Sequence, residues 1–160
     1  MKALKLSAIL ILLMLATCQI YSQNVSTLTE KEAVLEVMKS YKDAVQGLTT
    51  EGTFKLFTED SQVFESGGVE GSYANYIEHH LGPELGHFKK FEFSDYEIDV
   101  QVDAPYAFTT ETYIYTIVLK ADEKGDSRTI KKKEVATSIL KRLNGEWKII
   151  KTHTSSRNTK

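Results

Sequence analysis

The chain has 160 residues, 20 of them basic and 22 acidic, for a formal net charge of −2 with histidine neutral. So even a balance argues against general nucleic-acid binding, which needs a basic surface to displace counterions. The length fits one ordinary domain, with no transmembrane span, internal repeat or low-complexity linker in the sequence.

The first segment, MKALKLSAILILLMLATCQIYSQ, places Lys2 and Lys5 ahead of an apolar run from Ala8 to Ala16. A short basic region, an apolar core and a polar exit are the parts of an export signal peptide. The run is shorter than the ~20 apolar residues a spanning helix needs. The expectation is a leader over residues 1–22 and a periplasmic or secreted domain over 23–160. The alternative is a lipoprotein anchored at Cys18 within LATC, although Thr17 suits that processing poorly. From Gln23 onward there is no cysteine, which excludes disulfides and thiolate chemistry in that part.

Ser26 to Leu48 reads as a helix, with Glu30 and Glu32 in the first turn where the helix dipole favours acids. Val34, Val37, Met38, Tyr41 and Val45 recur at helical spacing as one apolar stripe. A short second helix is expected over Glu51–Phe57, and SQVFESGG reads as a brief strand ended by paired glycines. A third helix starts at Ser72, an N-cap residue, and is expected to break at Gly82 because Pro83 has no amide hydrogen.

From Phe91 the pattern changes to period two. FEFSDYEIDVQV, YAFTTETYIYTIVL, TIKKKEVATSILKRL and EWKIIKTHTSS are four long strands, and Asn144-Gly145 is a hairpin signal. The basic run Arg128–Glu134 reads as a solvated strand edge. Three helices followed by an antiparallel meander make an α+β domain.

That order, together with the ending NGEWKIIKTHTSSR, in which His153 follows Trp147 by six residues, resembles the nuclear transport factor two-like, or SnoaL-like, superfamily. The association domain of calcium/calmodulin-dependent kinase ends in a similar way. VFESGGVEGSYANYIEHHL resembles a motif of exported bacterial members. The resemblance implies helices packed into the mouth of a strongly curved sheet, a cone-shaped pocket, and a homodimer formed through the sheet. It implies no particular reaction, because ketosteroid isomerase and polyketide cyclases share the cone without one common set of catalytic residues.

The candidate polar residues are Glu65, Tyr76, His79, His80, Glu111, His153 and Arg157. Residues i and i+2 of a strand share a face. That groups Trp147, Ile149, Lys151, His153 and Ser155, and it groups Thr109, Glu111, Tyr113, Tyr115 and Ile117. Tyr73, Tyr76, Ile77 and His80 form a helical stripe, and His87 reads as surface.

Three uses of these side chains stand open. The first is a pocket for a small ligand, lined by Tyr41, Tyr73, Tyr76, Tyr113 and Tyr115, with Arg157 at the rim. The second is a divalent transition metal, zinc, copper or iron, held by Glu65, His79, His80 and His153, although their spacing matches no established short motif. The third is an isomerase- or cyclase-type enzyme in which Glu65 or Glu111 works with His80 or His153 as an acid/base pair. Against the last two stands a hydrogen bond between Glu65 and His153 that only holds strand to helix.

Overall fold

The computed structural model describes residues 29–159, so the expected leader, Cys18 and the expected helix start at Ser26 lie outside the described residues. Helix α1 occupies 29–46. Its stripe is the expected one, with Val34, Met38 and Val45 buried and Val37 and Tyr41 packed partly against the same core. Glu30 does more than answer the helix dipole. Its carboxylate accepts from Trp147 Nε1 at 2.7 Å and from the Arg142 guanidinium. At the other end of α1, Gln46 Oε1 accepts from the Phe93 amide at 3.2 Å. The helix is thus pinned at both ends across the sheet. Glu30→Ala strands the indole N–H of buried Trp147 and is expected to cost about 2 kcal/mol in urea unfolding. A loss below about 0.5 kcal/mol would contradict the clamp.

The domain does not have three full helices. The segment expected to be helical over Glu51–Phe57 contains a single turn, Phe54–Leu56, and Phe57 already begins β1 (Phe57–Glu65). Gly52, at φ 72°, lies outside the helical region and cuts the element short.

The remaining helix starts where expected, with Ser72 Oγ accepting from the Asn75 amide at 3.2 Å. It does not break at Gly82. Helix α2 (Tyr73–Tyr76) runs through a π-helical turn over Ile77–Leu81 into α3 (Gly82–His87), and Leu81 and Gly82 both keep helical angles. In the wide turn the Gly82 amide donates to the Ile77 carbonyl five residues back. The extra residue absorbs the donor that Pro83 lacks, so the helix bulges instead of ending.

The sheet has six strands in the order β2-β1-β6-β5-β4-β3, curled and not closed. β1 turns through Ser66 and Gly67, both at positive φ, into the short β2 (Gly68–Gly71), which the sequence pattern had not indicated. The four long strands fall where the period-two pattern puts them: β3 (Phe88–Asp103), β4 (Tyr106–Leu119), β5 (Thr129–Leu143) and β6 (Glu146–Asn158). Asn144 and Gly145 turn the last hairpin at φ 51° and 88°.

β1 pairs with β6 in parallel, and every other pair is antiparallel. β5 is therefore an interior strand, and the basic run 128–134 enters it instead of forming an edge. Irregularities in β1, β3 and β6 interrupt the register, and such bulges bend a strand and increase its twist. The sheet wraps into a half-cone, with α1 and the 73–87 helix across its concave side.

Candidate functional site

Inside the cone lies a cavity of about 440 Å³. Its deep end is formed by buried Phe57, Ala136, Ser138 and Ile149, and its mouth by Glu84, His87 and Lys132. Rings line much of the wall: Phe91, Phe93, Tyr113 and Tyr115 from the sheet, with Tyr41 and Tyr76 from the helices. Phe93 stands edge-on to Tyr113 at 5.0 Å and Phe91 stacks on Tyr115 at 5.7 Å, so the wall is a continuous aromatic surface.

Four carboxylates line this cavity, Glu84 at the mouth and three deeper ones that each accept a tyrosine hydroxyl. Tyr76 Oη donates to Glu65 at 2.6 Å, Tyr113 Oη to Glu134 at 2.8 Å, and Tyr96 Oη to Glu111. Glu111 and Glu134 are only 7% and 9% exposed. Burial pushes the Glu134 carboxyl up from 4.5 to about 7; the Tyr113 bond opposes this and the charge of Glu65 adds to it. Burial also raises Glu111, against the Tyr96 bond and the charge of Lys42. Removal from water raises Tyr76 and Tyr113, so both stay protonated donors. Glu134 is thus a group in this cavity that can take up or release a proton near neutral pH.

Of the residues singled out from sequence, Glu65, Tyr76 and Glu111 line the cavity. His80 lies outside it, half-buried. Its ring is 5.2 Å from Tyr76, and its nitrogens are 3.0 Å from Glu70 and 3.5 Å from Glu84. Burial opposes its charged form, but the Glu70 bond and the charges of Glu65 and Glu84 outweigh that and raise its pKa above 6.5. His79 is exposed, 3.8 Å from Glu78. Tyr73 is core, stacked on Phe57 at 3.6 Å.

His153 and Arg157 lie on the convex face, both exposed. The cause is one residue. Leu140 pairs with Ile149 but Ile139 pairs with Lys151, which leaves Ile150 as an extra residue in β6. Beyond it the alternation inverts, so Thr152 and Thr154 face the cavity in place of Lys151 and His153. Glu65 pairs with Thr154 while His153 aligns with Phe64, so the expected Glu65–His153 contact does not form. The four residues weighed as metal ligands do not converge, and no group of three or more His, Cys, Asp or Glu is arranged to hold a metal among the described residues.

Glu134 and Tyr96 were missed. Glu134 was readable: Ala136, Ser138 and Leu140 share its face, and counting back in twos from Leu140 turns the glutamate inward. Tyr96 was not, because Asp95 at φ 51° marks an irregularity in β3 that shifts the local alternation.

A SnoaL-like domain model matches residues 25–158. The chain belongs to the SnoaL-like family. Solved structures that share the fold of this SnoaL-like domain include three that cover most of it. A nuclear transport factor two-like superfamily protein from Salmonella enterica is 19% identical with a TM-score of 0.67, over 83% of this chain and 94% of that one. A family protein from Streptomyces avermitilis, provisionally described as a dehydratase, is 17% identical with a TM-score of 0.67, over 82% and 98%. A protein from Shewanella frigidimarina, provisionally described as a ketosteroid isomerase, is 21% identical with a TM-score of 0.58, over 75% and 92%. A sequence search of curated proteins finds no match. Identities this low establish the shared fold alone.

Proposed function

We propose that this SnoaL-like domain binds a small, mainly apolar molecule in the cone, with the three tyrosine–glutamate pairs as its polar contacts. The supporting observation is that three tyrosine-bonded carboxylates, two of them buried, line one 440 Å³ cavity. Desolvated carboxyls and unfilled volume both cost stability, and contact with a ligand gives them a use. Thr154 lines the cavity without belonging to the buried core. Thr154→Trp is expected to abolish binding of a naphthalene-based fluorescent probe while leaving the circular dichroism unchanged. Binding at wild-type affinity in the plugged variant would refute the pocket.

A second reading, proton transfer of the isomerase or dehydratase type, is favoured by Glu134 near 7 and suits the provisional descriptions of two structural neighbours. On a ketone, Glu134 would take the proton beside the carbonyl as the electron pair moves to oxygen. The expected result is protein-catalysed exchange of the α-hydrogens of tetralone in heavy water, lost in Glu134→Gln. Absence of exchange in the wild type removes this reading.

The same proposal covers assembly and location. The convex face exposes Phe108 and Val135, and it suits a homodimer formed through the sheet. Val135→Glu should then halve the mass seen by sedimentation; a wild-type monomer would dismiss the dimer. The domain is taken to be exported, with Gln23 as the first residue of the mature chain unless Cys18 is lipidated. N-terminal sequencing of the mature protein separates the two.

A further inference from the structure

Taking the cone as a small-molecule site, we infer that its ligand is an organic ammonium, an amine carried on an apolar body, with the nitrogen held between Glu65 and Glu134. Three features point the same way. The first is the direction of the hydrogen bonds. Tyr76, Tyr96 and Tyr113 spend their hydroxyl hydrogens on Glu65, Glu111 and Glu134. What these groups offer a guest is lone pairs, on phenolic oxygens and on carboxylates with acceptor sites to spare. At these pairs a ligand carbonyl or carboxylate finds no free tyrosine hydrogen and must turn to Tyr41, Thr152 and Thr154 or to His87 and Lys132 at the mouth, whereas an ammonium finds acceptors for each of its hydrogens.

The second feature is the wall. Ring faces carry negative charge at their centres and attract cations. The cavity wall already uses this pairing, with Lys42 Nζ standing 4.4 Å from the centroid of the Tyr96 ring whose hydroxyl holds Glu111. That corner is therefore served by the protein's own ammonium.

The third is the charge left over. Glu65 and Glu134 come from β1 and β5, on either side of β6, and both face the cavity. Around Glu134 stand Tyr113, Glu65, Glu111 and, at the mouth, Lys132, the one cation among them. Around Glu65 stand Tyr76 and the like-charged Glu84 at the mouth, with His80 outside the cavity and Lys42 turned toward Glu111. The two carboxylates repel each other through the cavity, and a cation between them relieves that repulsion.

Naphthylmethylamine, naphthylmethanol and naphthoate share one apolar body and differ in charge, and calorimetric titration of the purified protein with each tests the inference. The amine is expected to bind at least ~10-fold more tightly than the alcohol, with naphthoate weakest. Near pH 7, where Glu134 is about half protonated, amine binding should release protons, seen as a dependence of the heat on the buffer. Glu65→Gln and Glu134→Gln should each bring amine and alcohol to within about threefold. Equal or tighter binding of the alcohol or naphthoate, or proton uptake with the amine, overturns the ammonium while leaving the pocket standing. Failure of all three probes to bind at millimolar concentration overturns the pocket as well. The wild-type ranking decides the matter even where a variant folds poorly.

Discussion

Glu134→Gln is expected to stabilise the protein above neutral pH and to leave it nearly unchanged in mild acid. The wild-type carboxyl has a folded pKa of about 7 against 4.5 when free of the fold. Between those values the folded state holds a proton that the unfolded state has released, so rising pH favours unfolding. The contribution is intact below the unfolded value and is lost as pH rises through the folded one. A shift of this size corresponds to at most about 3 kcal/mol. Glutamine keeps an acceptor for Tyr113 Oη and never ionises, so it removes the loss. Glu111 and His80 also carry raised values and add to the same downward slope; the difference between variant and wild type isolates Glu134. Urea unfolding on both sides of the window provides the measurement. Parallel curves for the two proteins would mean that Glu134 is not desolvated.

Gly82→Ala is expected to destabilise by about 2 kcal/mol or more, although alanine normally improves a helix by about 1 kcal/mol. The sign reverses because a Cβ at Gly82 would overlap the Ile77 carbonyl oxygen, pressed against it by the wide turn. Gly86, in the following turn, has open space around the same position. Gly86→Ala should therefore stabilise by ~0.5 to 1 kcal/mol. For a domain of this size the pair should separate in melting temperature by about 5 °C or more. Two variants that melt together would show that the π-helical turn is not rigidly held. Because Tyr76 and Glu84 stand on either side of that turn and both face the cavity, Gly82→Ala should also weaken probe binding.

The sheet was legible because alternation and turn chemistry agree. Asn144-Gly145 and four Val-, Ile-, Thr- and Tyr-rich runs specify the hairpins locally, without help from tertiary contacts. The α1 stripe was legible for the same reason. Departures from the periodic pattern were not. A single inserted residue at Ile150 moves His153 and Arg157 from the concave to the convex face, and strict alternation carries no sign of it. The π-helical turn likewise hides in a sequence where Pro83 reads as a stop. Of the candidate site residues, Glu65, Tyr76 and Glu111 do line the cavity, whereas His79, His80 and His153 drew notice by their chemistry and lie outside it. Glu134 was readable by counting back from Leu140 but was passed over, since Lys131, Lys132 and Lys133 give its strand the look of solvent-exposed surface.

The most direct test of an acid-bearing pocket is a carboxyl carbon NMR titration of the glutamate side chains. One resonance, absent from Glu134→Gln, is expected to titrate near pH 7 and to move to lower pH when naphthylmethylamine is added. Titration of every glutamate in the ordinary range near 4.5, indifferent to the amine, would contradict both the buried Tyr113–Glu134 pair and the pocket built around it.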